Sequence, residues 1–342
     1  MFDMEKIRPG VINMLKVNMQ VKKGESILVL NDVPRTEEWK LSYSKISDFA
    51  KRSIMARKMY DIICEVFKEN KVDYFVYPSL GQNGVEPTEE VAEKIKKYDI
   101  VLALNTYSLS HTNARENACK AGVRIASMPG LECEMLTEQG PLAADYISIK
   151  QETERLAELL TKAKTARVTT ENGTDITLSI EGRHGGADTG IIANKGEWGN
   201  LPGGEAYIAP VEGTATGIIV VPAGWYFGLV EDMILTFKNG YVVSIEGGGR
   251  VGEELRELCY FNDDKYKHRR NCAELGIGTN PKAKKPDNVL EAEKIKGTIH
   301  IAIGDSSHMG GVNESDLHED FVLPSPMLYL DGKLIIEKGK IV

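Results

Sequence analysis

Three of the six histidines in this 342-residue chain fall between Gly297 and Leu323, in GTIHIAIGDSSHMGGVNESDLHEDFVL. His300, His308 and His318 share the stretch with Asp305, Glu314, Asp316, Glu319 and Asp320. Imidazoles and carboxylates are the side chains that ligate divalent cations and carry protons near neutral pH. Read as a strand, HEDFVL puts His318 and Asp320 on one face, about 7 Å apart, within reach of one small site. In TIHIAI, Thr298, His300 and Ala302 share a face while Ile299, Ile301 and Ile303 pack on the other. An imidazole centred on such a buried strand needs a partner, and a metal ion or a carboxylate supplies it.

For any one histidine an ordinary hydrogen-bonded role is the simpler expectation, and two carboxylates shift the balance. Glu205, in NLPGGEAYIAP, follows Gly203 and Gly204; Glu274, in NCAELGIGTNPKA, is flanked by Ala273, Leu275, Gly276 and Gly278. A carboxylate in apolar, glycine-rich surroundings is costly unless a positive group compensates it. The plainer alternative is a strand-end glutamate paired with Arg269 or Arg270. Together Glu205, Glu274, His300, His318 and Asp320 offer three carboxylates and two imidazoles. That exceeds the three protein ligands usual for one catalytic zinc and suits two cations sharing a bridging carboxylate and water.

The elements that must position these residues follow from the hydrophobic pattern. Apolar runs at 26–32, 72–79, 100–106 and 123–129 read as buried parallel strands, separated by helical stretches such as KISDFAKRSIMARKMYDIICEVFKEN and NARENACKAG. This predicts an α/β domain over residues 1–165, an open parallel sheet with helices on both faces, closed by a helix near 145–163. From Ala166 the texture becomes strand-rich and glycine-rich, with hairpin turns at Asn172-Gly173, Asn239-Gly240 and Asp331-Gly332 and one helix near 250–260. Residues 166–342 therefore read as a β-rich α+β domain carrying the metal site.

A formal charge of −8 argues against nucleic acid or an anionic membrane as partner, since both need a basic face. No run of about 18 apolar residues occurs, so no bilayer span is expected. The N-terminal segment reads as an amphipathic helix with Ile7, Val11, Met14 and Leu15 on one face and Asn18 ending the stripe, not as a signal peptide. Five scattered cysteines without a CxxC pair read as reduced, mostly buried thiols of a cytoplasmic protein. In the α/β half neither G-x-G-x-x-G nor a P-loop occurs, so that half reads as structural, or as a substrate wall, rather than as a dinucleotide domain.

The segments NLPGGEAYIAP…GTATG, AELGIGTNPKA, HIAIGD and SDLHEDFVL, in that order, resemble the M29 metallo-aminopeptidases, the aminopeptidase T and aminopeptidase S group. The resemblance implies a dinuclear site on Glu205, Glu274, His300, His318 and Asp320, with Zn, Co or Mn, or Fe, as the divalent ions. It also implies a homodimer and removal of N-terminal residues from short peptides, or action on another small molecule, by activated water. Family members place a tyrosine after the equivalent of His300, where this chain has Ser307 and His308; His308 then becomes the candidate acid, alongside Glu205. The chain is also similar to the 2,5-dihydroxypyridine 5,6-dioxygenases in length, layout and terminal His-x-Asp. That resemblance implies one Fe(II) on two histidines and an aspartate. There a histidine stands at the position of Glu274, and the equivalents of Glu205 and His300 are not ligands. His268, in the basic loop KYKHRRN, is expected in solvent. A third class, a non-catalytic metal-binding protein, predicts a closed, saturated metal or none.

Overall fold

The structure, a computed structural model, describes residues 4–110 and 112–342; Met1–Asp3 of the expected N-terminal helix lie outside them. The chain divides into two compact units, Met1–Tyr146 with Gly190–Gly203, and Ile147–Thr189 with Gly204–Val342.

In the first unit β1 (Ser26–Val33), β2 (Lys71–Pro78), β3 (Ile100–Leu104) and β4 (Arg124–Ser127) form a parallel sheet in the order β2-β1-β3-β4. Ile27–Leu30 and Ile100–Leu104 are buried throughout, as continuous apolar runs with both sheet faces covered must be. The short strand Trp198–Asn200 joins β4 in parallel. Its three residues carry no apolar run, so the pattern did not foretell it. Helices α1 (Met4–Asn13), α2 (Tyr43–Val66), α3 (Glu89–Ile95) and α4 (Asn113–Lys120) belong to this unit. Ser42 and Thr112 cap α2 and α4 by accepting from the amides of Lys45 and Arg115. Ile7, Val11, Met14 and Leu15 are all buried, and a π-helical turn over Met14–Asn18 ends the first helix. Asn18, buried as well, donates to the Gly190 carbonyl at 2.7 Å.

The second unit holds most of α5 (Tyr146–Lys162), whose Leu156, Ala157 and Leu160 pack into the same core as Val168, Ile176 and Leu178. The helix therefore belongs to the core of the second unit, and the two units do not meet in the sequence at a single point near residue 165. An eight-stranded antiparallel sheet contains the hairpins at Asn172-Gly173, Asn239-Gly240 and Asp331-Gly332. A five-stranded antiparallel sheet carries the candidate residues: β5 (Gly186–Asp188), β6 (Glu205–Ile208), β7 (Cys272–Gly278), β8 (Ile299–Gly304) and β9 (His318–Leu323), in the order β9-β8-β7-β6-β5. Helix α6 (Gly249–Cys259) adds Val251, Leu255 and Cys259 to the core between these layers. Cys119, Cys259 and Cys272 are buried, Cys133 is half-buried, Cys64 is exposed, and none forms a disulfide. Among the described residues no helix is long and apolar enough to cross a membrane.

Candidate metal centre

Strand alternation and register assemble the centre. Asp320 lies opposite Ala302, which lies opposite Glu274, so two carboxylates flank one small residue on a single face. One pair further along, Gly276 sits between His300 and Tyr207, and Gly278 is paired with Glu205. A bulge between Cys272 and Glu274 brings Glu274 onto this face. Ile299, Ile301 and Ile303 point the other way, into the core. A Cβ at Gly276 would stand 2.0 Å from His300 Nε2, so only glycine leaves room for the imidazole.

His300 is fully buried, and its Nε2 lies 3.3 Å from Glu274 Oε1 and 3.7 Å from Glu205 Oε2. His318 Nε2 lies 3.2 Å from Glu274 Oε2 and 3.5 Å from Asp320 Oδ1. The other nitrogen of His318, Nδ1, donates to the Asp305 carbonyl at 2.8 Å. This bond sets the tautomer that turns the Nε2 lone pair toward the carboxylates, as in metal-ligating histidines. All five expected residues thus meet in one cluster. Arg269 pairs with Asp316 and Arg270 with Asp264, so Glu274 takes imidazole rather than guanidinium partners. His268 also pairs with Asp316, outside the cluster.

Two residues of the centre were not anticipated. The Lys294 ammonium is buried, 2.7 Å from Glu205 Oε1, 3.4 Å from Glu293 Oε1 and 3.7 Å from Asp188 Oδ2. Backbone bonds from Asn280 to the Lys294 carbonyl and from Lys296 to the Asn280 carbonyl hold this segment against the end of β7. Two triads have ligand atoms within 4.8 Å of one another: Glu205 with Glu293 and His300, and Glu274 with His318 and Asp320. In LEAEKIKGTIH the Glu293-Lys294 pair reads as a solvated charged stretch. Its one signal is a Glu seven residues before a buried histidine.

Charge in the cluster is unbalanced. Burial drives the Glu205 carboxyl well above the usual range, against the lowering effect of Lys294, and does the same more mildly to Glu293. Burial disfavours the Lys294 ammonium, yet Glu205, Glu293 and Asp188 more than offset it and keep it charged. Burial likewise opposes protonation of His300, but the Glu274 hydrogen bond and the surrounding carboxylates lift it to about 9. Glu274 is held low, with the His300 and His318 hydrogen bonds outweighing its burial. Glu205 Oε2, His300 Nδ1 and Asp320 Oδ1 are buried without a hydrogen-bond partner. Orphaned acceptors, excess carboxylate and oriented imidazoles are what a divalent-cation site presents, and the donor set fits one.

His308 stands beside the cluster. Its Nδ1 lies 2.6 Å from Asp305 Oδ2, and its ring meets the His318 ring edge-on at 5.4 Å between centroids. Asp305 therefore holds two imidazoles, one through its carboxylate and one through its carbonyl. The loop is braced from below: Glu212 accepts from Ser306 Oγ and the Val312 amide, and Arg183 bonds both Glu212 and the Gly310 carbonyl. Tyr207, two residues after Glu205, is pushed up to about 12 by burial and by the Glu205 and Glu274 charges.

A mixed α/β protein with a carboxylate–imidazole centre on an antiparallel sheet is the class that the fold and site define. Residues 13–342 match the family described as NicX, 2,5-dihydroxypyridine 5,6-dioxygenase, and the chain belongs to that family. It is 28% identical over 209 residues to aminopeptidase PepS of Streptococcus thermophilus, covering 54% of this chain and 49% of that one. With aminopeptidase AmpS of Bacillus subtilis (strain 168) the identity is 26% over 183 residues, 47% of this chain and 43% of that one. The match spans about half the length of these curated relatives. The fold resembles 2,5-dihydroxypyridine dioxygenase from Pseudomonas putida KT2440, with TM-score 0.73 and 19% identity over 100% of this chain and 98% of that one. It also resembles AmpT from Thermus thermophilus, with TM-score 0.65 and 15% identity over 99% of this chain and 100% of that one.

Proposed function

We propose that the chain is a metal-dependent hydrolase, an aminopeptidase acting on short peptides, with two divalent cations on Glu205, Glu274, Glu293, His300, His318 and Asp320. The observation that carries this reading is the charge of the buried cluster. With the imidazoles neutral and the carboxylates ionised, as ligands must be, Glu205, Glu274, Glu293, Asp320 and Asp188 face one ammonium, Lys294, a charge that two dications would balance. Zn, Co, Mn or Fe suits the mixed donors. When bound, such ions acidify water and polarise a carbonyl.

The chain's own groups do the rest. Lys294 holds Glu205 through Oε1 and leaves Oε2, which makes no hydrogen bond, free to ligate an ion or to take the proton of the attacking water. Asp305 orients His308 through Nδ1, so that Nε2 passes a proton to the leaving amine. A substrate's free α-amine would dock on one ion or on a carboxylate beside it, which would give selectivity for N-terminal residues. A cytoplasmic homodimer belongs to the same reading, and sedimentation of the purified chain checks the dimer.

The second reading is a mononuclear Fe(II) ring-cleaving dioxygenase. The family match favours it, as does the grouping of His318 and Asp320 with Glu274, which stands where that pattern has its second histidine. It leaves Glu205 and Glu293 without a ligand function. Assays of aminoacyl amides and short peptides, beside oxygen uptake with dihydroxylated aromatics, separate the two. Metal-dependent release of the N-terminal residue supports the hydrolase; oxygen uptake without hydrolysis overturns it.

A further inference from the structure

The first unit carries polar groups that the metal centre does not use. Its strand order reverses at β1, so the chain leaves the carboxyl ends of β1 and β3 in different directions. Open parallel sheets take ligands at such a point. Asp32 is paired with Tyr77, and Asn31 with Leu104, which brings Asn105 beside Asp32 in the same row. Leu30, Tyr77 and Ala103 share the core on one face, and strand alternation puts Asp32 and Asn105 on that face as well.

Asp32, Tyr77 and Asn105 are 1%, 4% and 2% exposed. The Asp32 carboxylate accepts from the amides of Thr106 at 2.7 Å and Tyr107 at 3.3 Å. From α2, Arg52 donates through Nη1 to Thr106 Oγ1 at 2.6 Å, and Arg35, just past β1, donates through Nη2 to Glu38 at 3.4 Å. The Asp32, Glu38 and Arg35 charges all act on Tyr107, so these groups surround one loop. What is left is unpaired: the Tyr77 hydroxyl, both polar atoms of the Asn105 amide, and Nε of Arg35 and of Arg52 are buried without a partner. Native interiors satisfy nearly all such atoms, and five at one sheet end mark a place where ligand or water completes the bonding.

The chemistry of these atoms narrows the ligand. A guanidinium edge with an unused Nε–H matches a planar carboxylate, while an amide and a phenol read neutral polar groups. Phosphate is disfavoured. The first amides of α4, Asn113 and Ala114, already donate to Glu86, and this unit has no glycine-rich phosphate loop. Burial lowers Arg52 and raises Asp32, so this is a dry place in which an added anion is strongly felt.

We propose that the carboxyl end of the β2-β1-β3-β4 sheet is a binding site for a small organic carboxylate, recognised by Arg35, Arg52, Tyr77 and Asn105. The test is thermal unfolding of the full-length chain titrated with acetate, lactate and malate, against chloride at matched ionic strength and against inorganic phosphate. A carboxylate raises the Tm saturably. Tyr77→Phe and Asn105→Ala each weaken its apparent Kd by roughly two- to tenfold, the loss of about one hydrogen bond. Tyr77→Phe leaves the ligand-free Tm at or above that of the wild type, because it removes a buried hydroxyl without a partner. His318→Ala, in the other unit, leaves the carboxylate response unchanged. The proposal is overturned by no saturable response to any of the three, by stabilisation from phosphate alone, or by equal Kd in wild type and both variants. It is also overturned by a ligand-free Tm that drops in Tyr77→Phe, or by a response that disappears in His318→Ala.

Discussion

Lys294→Met isolates the charge balance at the centre. The side chain is 3% exposed and its ammonium lies 2.7 Å from Glu205 Oε1, with Glu293 and Asp188 close behind. Methionine keeps the length and the apolar stem and removes the charge. Removing one member of a buried ion pair typically costs about 3–5 kcal/mol, because the remaining charge is left uncompensated. In a domain of about 150–250 residues each kcal/mol moves the Tm by roughly 2–4 °C. The expected loss in metal-free protein is therefore on the order of 10 °C. Divalent cation restores more stability to the variant than it adds to the wild type, since the ion supplies the charge that lysine supplied. The assay is calorimetry of both proteins in chelator and after addition of Zn²⁺ or Mn²⁺. A variant whose metal-free Tm stays within about 2 °C of the wild type would refute the reasoning, as Glu205 would then be compensated by something other than Lys294.

Asp305→Asn keeps the contact with His308 but removes the charge that orients it; kcat falls by about 10–100-fold while metal content stays at the wild-type level, as steady-state kinetics and elemental analysis check. Gly276→Ala drives a methyl into the space of His300 Nε2 and costs about 1–3 kcal/mol with loss of bound metal, read by denaturant unfolding and metal analysis. The pH dependence of metal-free protein follows from His300. Its folded value of about 9 lies above the unfolded value of about 6.5, so its contribution is fully present below 6.5 and is lost as pH rises through 9. Glu205, also raised, acts in the same direction. Metal-free protein should lose Tm between pH 7 and about 9, whereas metal-loaded protein, in which His300 is a ligand, should not; a pH series of melting curves decides it.

The elements defined by local pattern could be read from the chain. The apolar runs of β1–β4 and the Asn-Gly and Asp-Gly hairpins need only neighbours to be recognised, although β2, expected to be buried, is an edge strand of which only Tyr77 is buried. The His-x-Asp alternation also put His318 and Asp320 on the same face. Residues defined by distant partners were not legible. Trp198–Asn200 is a strand only because β4 offers it an edge. Lys294 looks like one more solvated lysine until Glu205, nearly ninety residues earlier, is folded against it. Asp305 looks like a turn residue, although its two oxygen types organise two imidazoles. Even α5 follows this rule, since the core that claims it is built from strands later in the chain.

The central claim is that the buried carboxylates hold two cations. Elemental analysis of the purified protein, wild type beside Glu205→Ala, tests it most directly. The account predicts about two equivalents of Zn, Mn or Co in the wild type, falling to one or none in the variant. One equivalent of iron, unchanged by the loss of Glu205, would contradict it and leave the mononuclear oxygenase in its place.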